Sequence, residues 1–162
     1  MKPVDELVRR AKEAGGAGAA GIAGRPAMGV TIITCMDARI DPVRLFGLEL
    51  GDAHVLRNAG GVVTEDVIRS VMLSQRLLGT TDVVLVHHTP CGLEGLKEAV
   101  TKAEIEAETG IRPPFALEGF EDVDADVRQS MARIRSSPFL RRDGSVRGFV
   151  YDLADGTLRE VL

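Results

Sequence analysis

Cysteine is scarce in this chain, two residues in 162, and tryptophan is absent. Two thiols do not make a disulfide framework, so the fold has to rest on a buried core rather than on cross-links. Long apolar runs are missing too. The longest strongly apolar stretch, Val83 to Val86, is far shorter than the ~20 residues a membrane-spanning helix needs. The N-terminus carries Asp5, Glu6, Arg9 and Arg10 where a secretory signal would have its apolar centre. The expected location is therefore cytoplasmic, with no membrane partner, and there the thiols stay reduced for metal binding or catalysis. An excess of basic charge is also lacking. The net charge is −4 and the pI about 5.4, with acids and bases interspersed, so there is no stripe for a phosphate backbone and no nucleic-acid partner is expected.

What is present suffices for a core: 44% of the residues are hydrophobic, and the length fits one folded unit spanning 1–162, with 1–28 as a helix and a Gly/Ala-rich arm. Val4, Leu7, Val8 and Ala11 recur at helical spacing and predict an amphipathic helix ending at Gly15, able to cap a surface or reach a partner subunit. Gly16, Gly18 and Gly21 imitate a dinucleotide-binding glycine pattern, but a helix precedes them and Gly24-Arg25-Pro26 follows, the wrong setting for that motif.

Further along, strands are predicted at Val30 to Thr34, Ala53 to Arg57 and Asp82 to His88. Helices are predicted from Pro42 to about Leu48, from a Thr64 cap to Gly79, from Leu93 to about Glu108, and from Phe120 to Arg135. A segment with Pro113-Pro114 links the last two, and Val146 to Asp152 with Thr157 to Val161 reads as a closing hairpin. Strands alternating with helices make this an α/β chain with a mainly parallel β-sheet flanked by helices and an antiparallel edge strand. In such sheets ligands gather beyond the C-terminal strand ends, where Cys35 and His88 fall.

Each cysteine sits in half of a metal-binding pattern: Cys35 opens Cys-Met-Asp-Ala-Arg, and Cys91 lies in His-His-Thr-Pro-Cys-Gly. Cys35, His88 and Cys91 form a thiolate, imidazole, thiolate set of the kind zinc prefers, and three protein ligands leave one tetrahedral position for water or substrate. The plainer alternative is two buried structural cysteines and a hydrogen-bonded histidine. His87 is the neighbouring candidate, but side chains alternate along a strand, so it is expected on the opposite face. His54, at the start of a strand in a polar context, reads as a surface residue.

With its neighbours the pattern becomes specific. Cys35-Met36-Asp37-Ala38-Arg39, Arg57-Asn58-Ala59-Gly60-Gly61 and His88-Thr89-Pro90-Cys91-Gly92 together resemble the β-class carbonic anhydrase family, as do Asp66 to Ser70 and Arg147 to Val150. The resemblance implies one zinc per chain on Cys35, His88 and Cys91, and reversible hydration of carbon dioxide to bicarbonate by zinc-bound hydroxide. Asp37 then accepts the hydroxide's hydrogen bond, while Arg39 holds Asp37 off the metal through a two-pronged pair. Asn58, Ala59, Gly60 and Gly92 are assigned to the pocket wall. The resemblance further implies a homodimer or a dimer of dimers.

Two features depart from the family pattern. Pro90 stands where a polar or charged residue is frequent, and the missing tryptophan argues against the family's tryptophan-dependent bicarbonate regulation. Carbonyl sulfide or carbon disulfide hydrolysis on the same zinc site is the rival within enzymes, and a structural zinc or redox protein the rival outside them.

Overall fold

The structure is a computed structural model and describes residues 2–15 and 18–162. Five strands form one sheet in the order β2-β1-β3-β4-β5: β1 Val30–Cys35, β2 Ala53–Asn58, β3 Asp82–Thr89, β4 Val146–Asp152 and β5 Leu158–Val161. Pairing is parallel throughout except between β4 and β5, which make the antiparallel edge. Parallel strands end at one edge of the sheet, and this brings Cys35, at the end of β1, next to the end of β3. The helices are α1 Pro3–Ala14, α2 Pro42–Phe46, α3 Glu65–Leu78, α4 Glu98–Thr109 and α5 Val123–Ser136.

Helix ends follow their capping chemistry. Asp41 accepts from Val43 and Arg44 N–H to open α2, Thr64 from Val67 N–H to open α3, and Asp122 from Ala125 N–H to open α5. Gly47 and Gly79 close α2 and α3 in the left-handed conformation. Val67 and Val71 of α3 and Val127, Met131 and Ile134 of α5 pack with Ile33, Val83, Leu85 and Val150 into the main core. The repeat of α3 at three and four residues exists to fill that layer.

Two expected helices start later than their sequence periodicity. Leu93 to Lys97 does not join α4, because Gly95 has φ +73° and the main chain of Leu93 and Gly95 is bonded to Phe120 instead. Phe120 in turn is not helical: it is buried against Cys35, Ile40 and Cys91, three residues ahead of α5. A tertiary contact has won over local propensity at both positions.

The glycine-rich arm shows no strand before it and no helix after it: α1 precedes, and the next regular element is β1. Gly16 lies outside the described residues. His54 also differs from expectation. It is half-buried, with Nε2 3.3 Å from the Gly24 carbonyl and Nδ1 2.7 Å from Ser74 Oγ, which itself meets Thr31 and Thr80 in a buried hydroxyl cluster. The carbonyl can only accept, so Nε2 donates to it. Strand alternation could not reveal a partner on a helix twenty residues away.

A single 3-10 turn, Ala59–Gly61, follows β2 and wedges against the end of β1. Gly61 has φ +69°, and a β-carbon there would lie 2.8 Å from the Cys35 nitrogen and 2.9 Å from the Thr34 carbonyl carbon. Gly61→Ala is therefore expected to destabilise the fold by at least ~2 kcal/mol, from left-handed strain and a backbone clash together. A shift of the urea midpoint small enough to mean less than ~0.5 kcal/mol would contradict this reading.

Candidate metal centre

The thiols of Cys35 and Cys91 and a ring nitrogen of His88 lie within 4.8 Å of one another, all three residues buried and both cysteines free. Neither nitrogen of His88 has a hydrogen-bond partner, although the ring is fully buried. An orphaned imidazole inside a protein is costly, and a cation held between it and two thiols would satisfy one of its two nitrogens. Burial also pushes the His88 imidazolium down, with Arg39 and His87 adding to the effect against the pull of Asp37, so the ring is neutral and ready to donate its lone pair. Burial pushes the Cys91 thiol up. In the absence of a cation this thiol keeps its proton, and a divalent metal displaces it.

The register shows how the three residues meet. Ile33 pairs with Leu85 and Thr34 with Val86, so one further step would set Cys35 beside His87. Pairing stops at Thr34, however, and the turn carrying Gly61 occupies the space on that side. His87 gives its Nε2 proton to the Gly61 carbonyl at 3.2 Å, and its Nδ1 lies 3.1 Å from Asp126 of α5. His88 is left free for the thiols.

Beside the thiols, Asp37 and Arg39 form a two-pronged pair: Arg39 Nε donates to Oδ1 at 2.9 Å and Nη2 to Oδ2 at 2.7 Å, while the Arg39 amide also donates to Oδ1. Arg39 Nη2 reaches the Pro90 carbonyl at 3.4 Å, which ties this loop to the one that carries Cys91. The Arg39 side chain beside Asp37, with its amide, holds the carboxyl well below the usual carboxylate range. Asp37 Oδ2 is 3.9 Å from His88 Nε2, so the carboxylate stands at the rim of the ligand set.

The residues assigned to the pocket wall are spread more widely. Asn58 is the register partner of Cys35 and donates from Nδ2 to the Val62 carbonyl; Ala59 and Gly60 make the 3-10 turn, where a β-carbon on Gly60 would meet Leu93 at 2.8 Å. Gly92 is exposed with open space around it. The apolar surface on the thiols comes instead from Ile40, Phe120 and Leu93. Phe120 sits near the end of the segment that joins α4 to α5, and no local pattern marks it as part of a site.

A family model described as carbonic anhydrase matches residues 30–113, the stretch holding all three metal-site residues and the Asp37–Arg39 pair. β-Carbonic anhydrase 1 of Mycobacterium tuberculosis is 51% identical over 136 residues, 84% of this chain and 83% of that protein. The chain belongs to the β-carbonic anhydrase family.

The fold of the family extends over the whole chain. A carbonic anhydrase of Streptococcus mutans superposes with a TM-score of 0.90 at 34% identity, covering 100% of this chain and 99% of that one. A carbon disulfide hydrolase of an Acidianus strain is more distant, 30% identical over 154 residues, 80% of this chain and 75% of that protein. β-Carbonic anhydrases are zinc enzymes, and the donor set of Cys35, His88 and Cys91 fits zinc: two soft thiolates and one neutral imidazole.

Proposed function

We propose that this chain catalyses the reversible hydration of carbon dioxide to bicarbonate and a proton, with zinc held by Cys35, His88 and Cys91. The observation that carries this reading is the buried, partnerless His88 between two free thiols, with an ionised carboxylate at its rim. Bound zinc supplies a Lewis acid that acidifies a coordinated water, so that a strong nucleophile is available near neutral pH. Asp37 is acceptor only, because Arg39 keeps it ionised and fills its other lone pairs; it can take one hydrogen bond from the attacking oxygen and aim that oxygen at the substrate carbon. Ile40, Phe120 and Leu93 provide an apolar wall suited to a small non-polar gas. Stopped-flow hydration of carbon dioxide by zinc-loaded protein, run beside sulfide release from carbon disulfide, tests the assignment. Sulfide release without hydration would overturn it.

The pH profile is a further expected result. Two thiolates offset the charge of the metal and acidify its water less than three neutral imidazoles, for which the value is about 7. Hydration should therefore rise toward mildly alkaline pH. Asp37 does not contribute to that rise: its folded value is depressed, so the Asp37–Arg39 pair is fully in place above the ordinary carboxylate value of about 4 and is lost only as pH falls below it. A rate that is flat from acidic to alkaline pH would contradict the zinc reading.

We further propose that the protein works in the cytoplasm as a homodimer or a dimer of dimers. Helix α1 buries none of its residues and exposes Val4, Leu7 and Val8, while a groove lined by Ile68, Met72, Phe115 and Phe139 is open at the other side of α3. A second copy of the chain supplies a helix of the right kind for that groove. Among the described residues no helix is long and apolar enough to cross a membrane. Light scattering should give two or four times the chain mass, and Leu7→Asp with Val8→Asp should shift the protein toward monomer. A fully active wild-type monomer would rule the dimer out.

A further inference from the structure

We propose that Arg57 is a positioning residue that ties the metal-site loop to the sheet and sets where the Asp37–Arg39 pair stands relative to the thiols. The idea rests on the proposed hydration activity and adds a residue to it. Arg57 is the penultimate residue of β2, register partner of Thr34. Its Nε donates to the Cys35 carbonyl at 3.0 Å and its Nη2 to the Asp37 carbonyl at 2.7 Å. One planar guanidinium thus spans the main chain on both sides of Met36, from a metal-site cysteine to the carboxylate residue.

The loop needs such a tie. Residues 36–40 have no helix or strand of their own, and Met36 is 64% exposed, so its side chain does nothing to anchor them. The other main-chain restraints are the Met36 amide on the Asn58 carbonyl at 2.8 Å and the Ile40 amide on the Asp37 carbonyl at 3.0 Å. The second of these lies within the loop and does not fix it to the sheet. The bonds between Arg39 and the Asp37 carboxylate are also local, spanning two residues, so they orient the two side chains to each other without locating the pair. Ile40 is buried among the thiols at one end of the loop and Arg39 Nη2 reaches the Pro90 carbonyl at 3.4 Å, while Arg57 is the side chain that ties the loop directly to β2 at both Cys35 and Asp37. Two acceptors at fixed separation suit the guanidinium fork, whereas an ammonium is a single point and cannot bridge both.

Misplacing a catalytic group by about an ångström costs ~100-fold in rate. Arg57→Ala should therefore keep one zinc per chain and bind substrate with KM within ~3-fold of wild type, while kcat falls ~10- to 100-fold. Millimolar guanidinium ion should restore part of the rate by bridging the same carbonyls. With cobalt in place of zinc, the visible bands of Arg57→Ala should differ from wild type before any substrate is added. Arg57→Lys should fall between the two in kcat and guards against an alanine variant that fails to fold. A lysine variant equal to wild type in kcat and in cobalt spectrum would overturn the proposal, as would an alanine variant that keeps wild-type kcat and spectrum. If wild-type protein does not hydrate carbon dioxide, the proposed function fails instead, and the cobalt spectra still decide whether Arg57 positions the loop.

Discussion

Cys35→Ser is expected to yield folded protein without zinc and without hydration activity. Serine is close to cysteine in volume, so it fits among Ile40, Cys91 and Phe120 without opening a cavity, at a cost of about 1–3 kcal/mol for burying its hydroxyl. Its hydroxyl, unlike a thiol, does not ionise in the accessible pH range, and a neutral oxygen is a poor substitute for a thiolate on zinc. Elemental analysis should fall from one zinc per chain to less than ~0.1, and the rate to that of uncatalysed hydration, since enzymes supply ~10⁶-fold or more and all of it here depends on the metal. Circular dichroism should stay close to wild type. Full zinc in the serine variant would remove Cys35 from the ligand set, and absence of zinc from the wild type would remove the basis of the site altogether.

Arg39→Ala and Asp37→Ala are expected to fail in different ways. In the first, the carboxylate loses the side-chain bonds that hold both its oxygens, and Oδ2 is already only 3.9 Å from His88 Nε2. A short rotation would let the freed carboxylate reach a zinc held by Cys35, His88 and Cys91, giving protein that retains zinc and fold but turns over at least ~100-fold more slowly. Asp37→Ala leaves nothing to close the site. Small anions should still enter, while the rate falls ~10²- to 10³-fold for want of the acceptor that orients the attacking oxygen. Cobalt-substituted protein separates the two, because an added anion should change the visible bands of Asp37→Ala and leave those of Arg39→Ala unmoved. Near wild-type rates in both variants would reduce the pair to an exposed ion pair of little consequence.

Much of this site is legible before folding because its chemistry is local. Cys35, Asp37 and Arg39 sit within five residues and His88 and Cys91 within four, so side-chain type and spacing carry the signal. Arg57 is in a matched motif, yet the role proposed for it is not readable there, since its hydrogen bonds to the carbonyls of Cys35 and Asp37 run from β2 to the end of β1 and the loop beyond it. Phe120 carries no signal at all. It reaches the thiols only because the chain between α4 and α5 folds back onto Leu93 and Gly95.

By itself, then, the amino-acid order pointed to the parallel sheet with its antiparallel edge, the caps of α2 and α3, and the candidate ligands Cys35, His88 and Cys91. Each of these depends on periodicity, on a capping side chain or on ligand type, all properties of near neighbours. Tertiary structure alone decided the late start of α4, the buried partners of His54, the groove between α3 and the Phe115 and Phe139 segments, and the wall around the thiols. It also shows how His88, already singled out by its spacing to Cys91, comes to meet Cys35. Strand alternation separates His87 from His88 but does not say which side Cys35 will take. That choice is made by Gly61, whose turn fills one side of the strand ends and accepts His87, leaving His88 with the two thiols. Contacts between residues distant in the chain depend on how the layers close, and closure is a property of the packed whole.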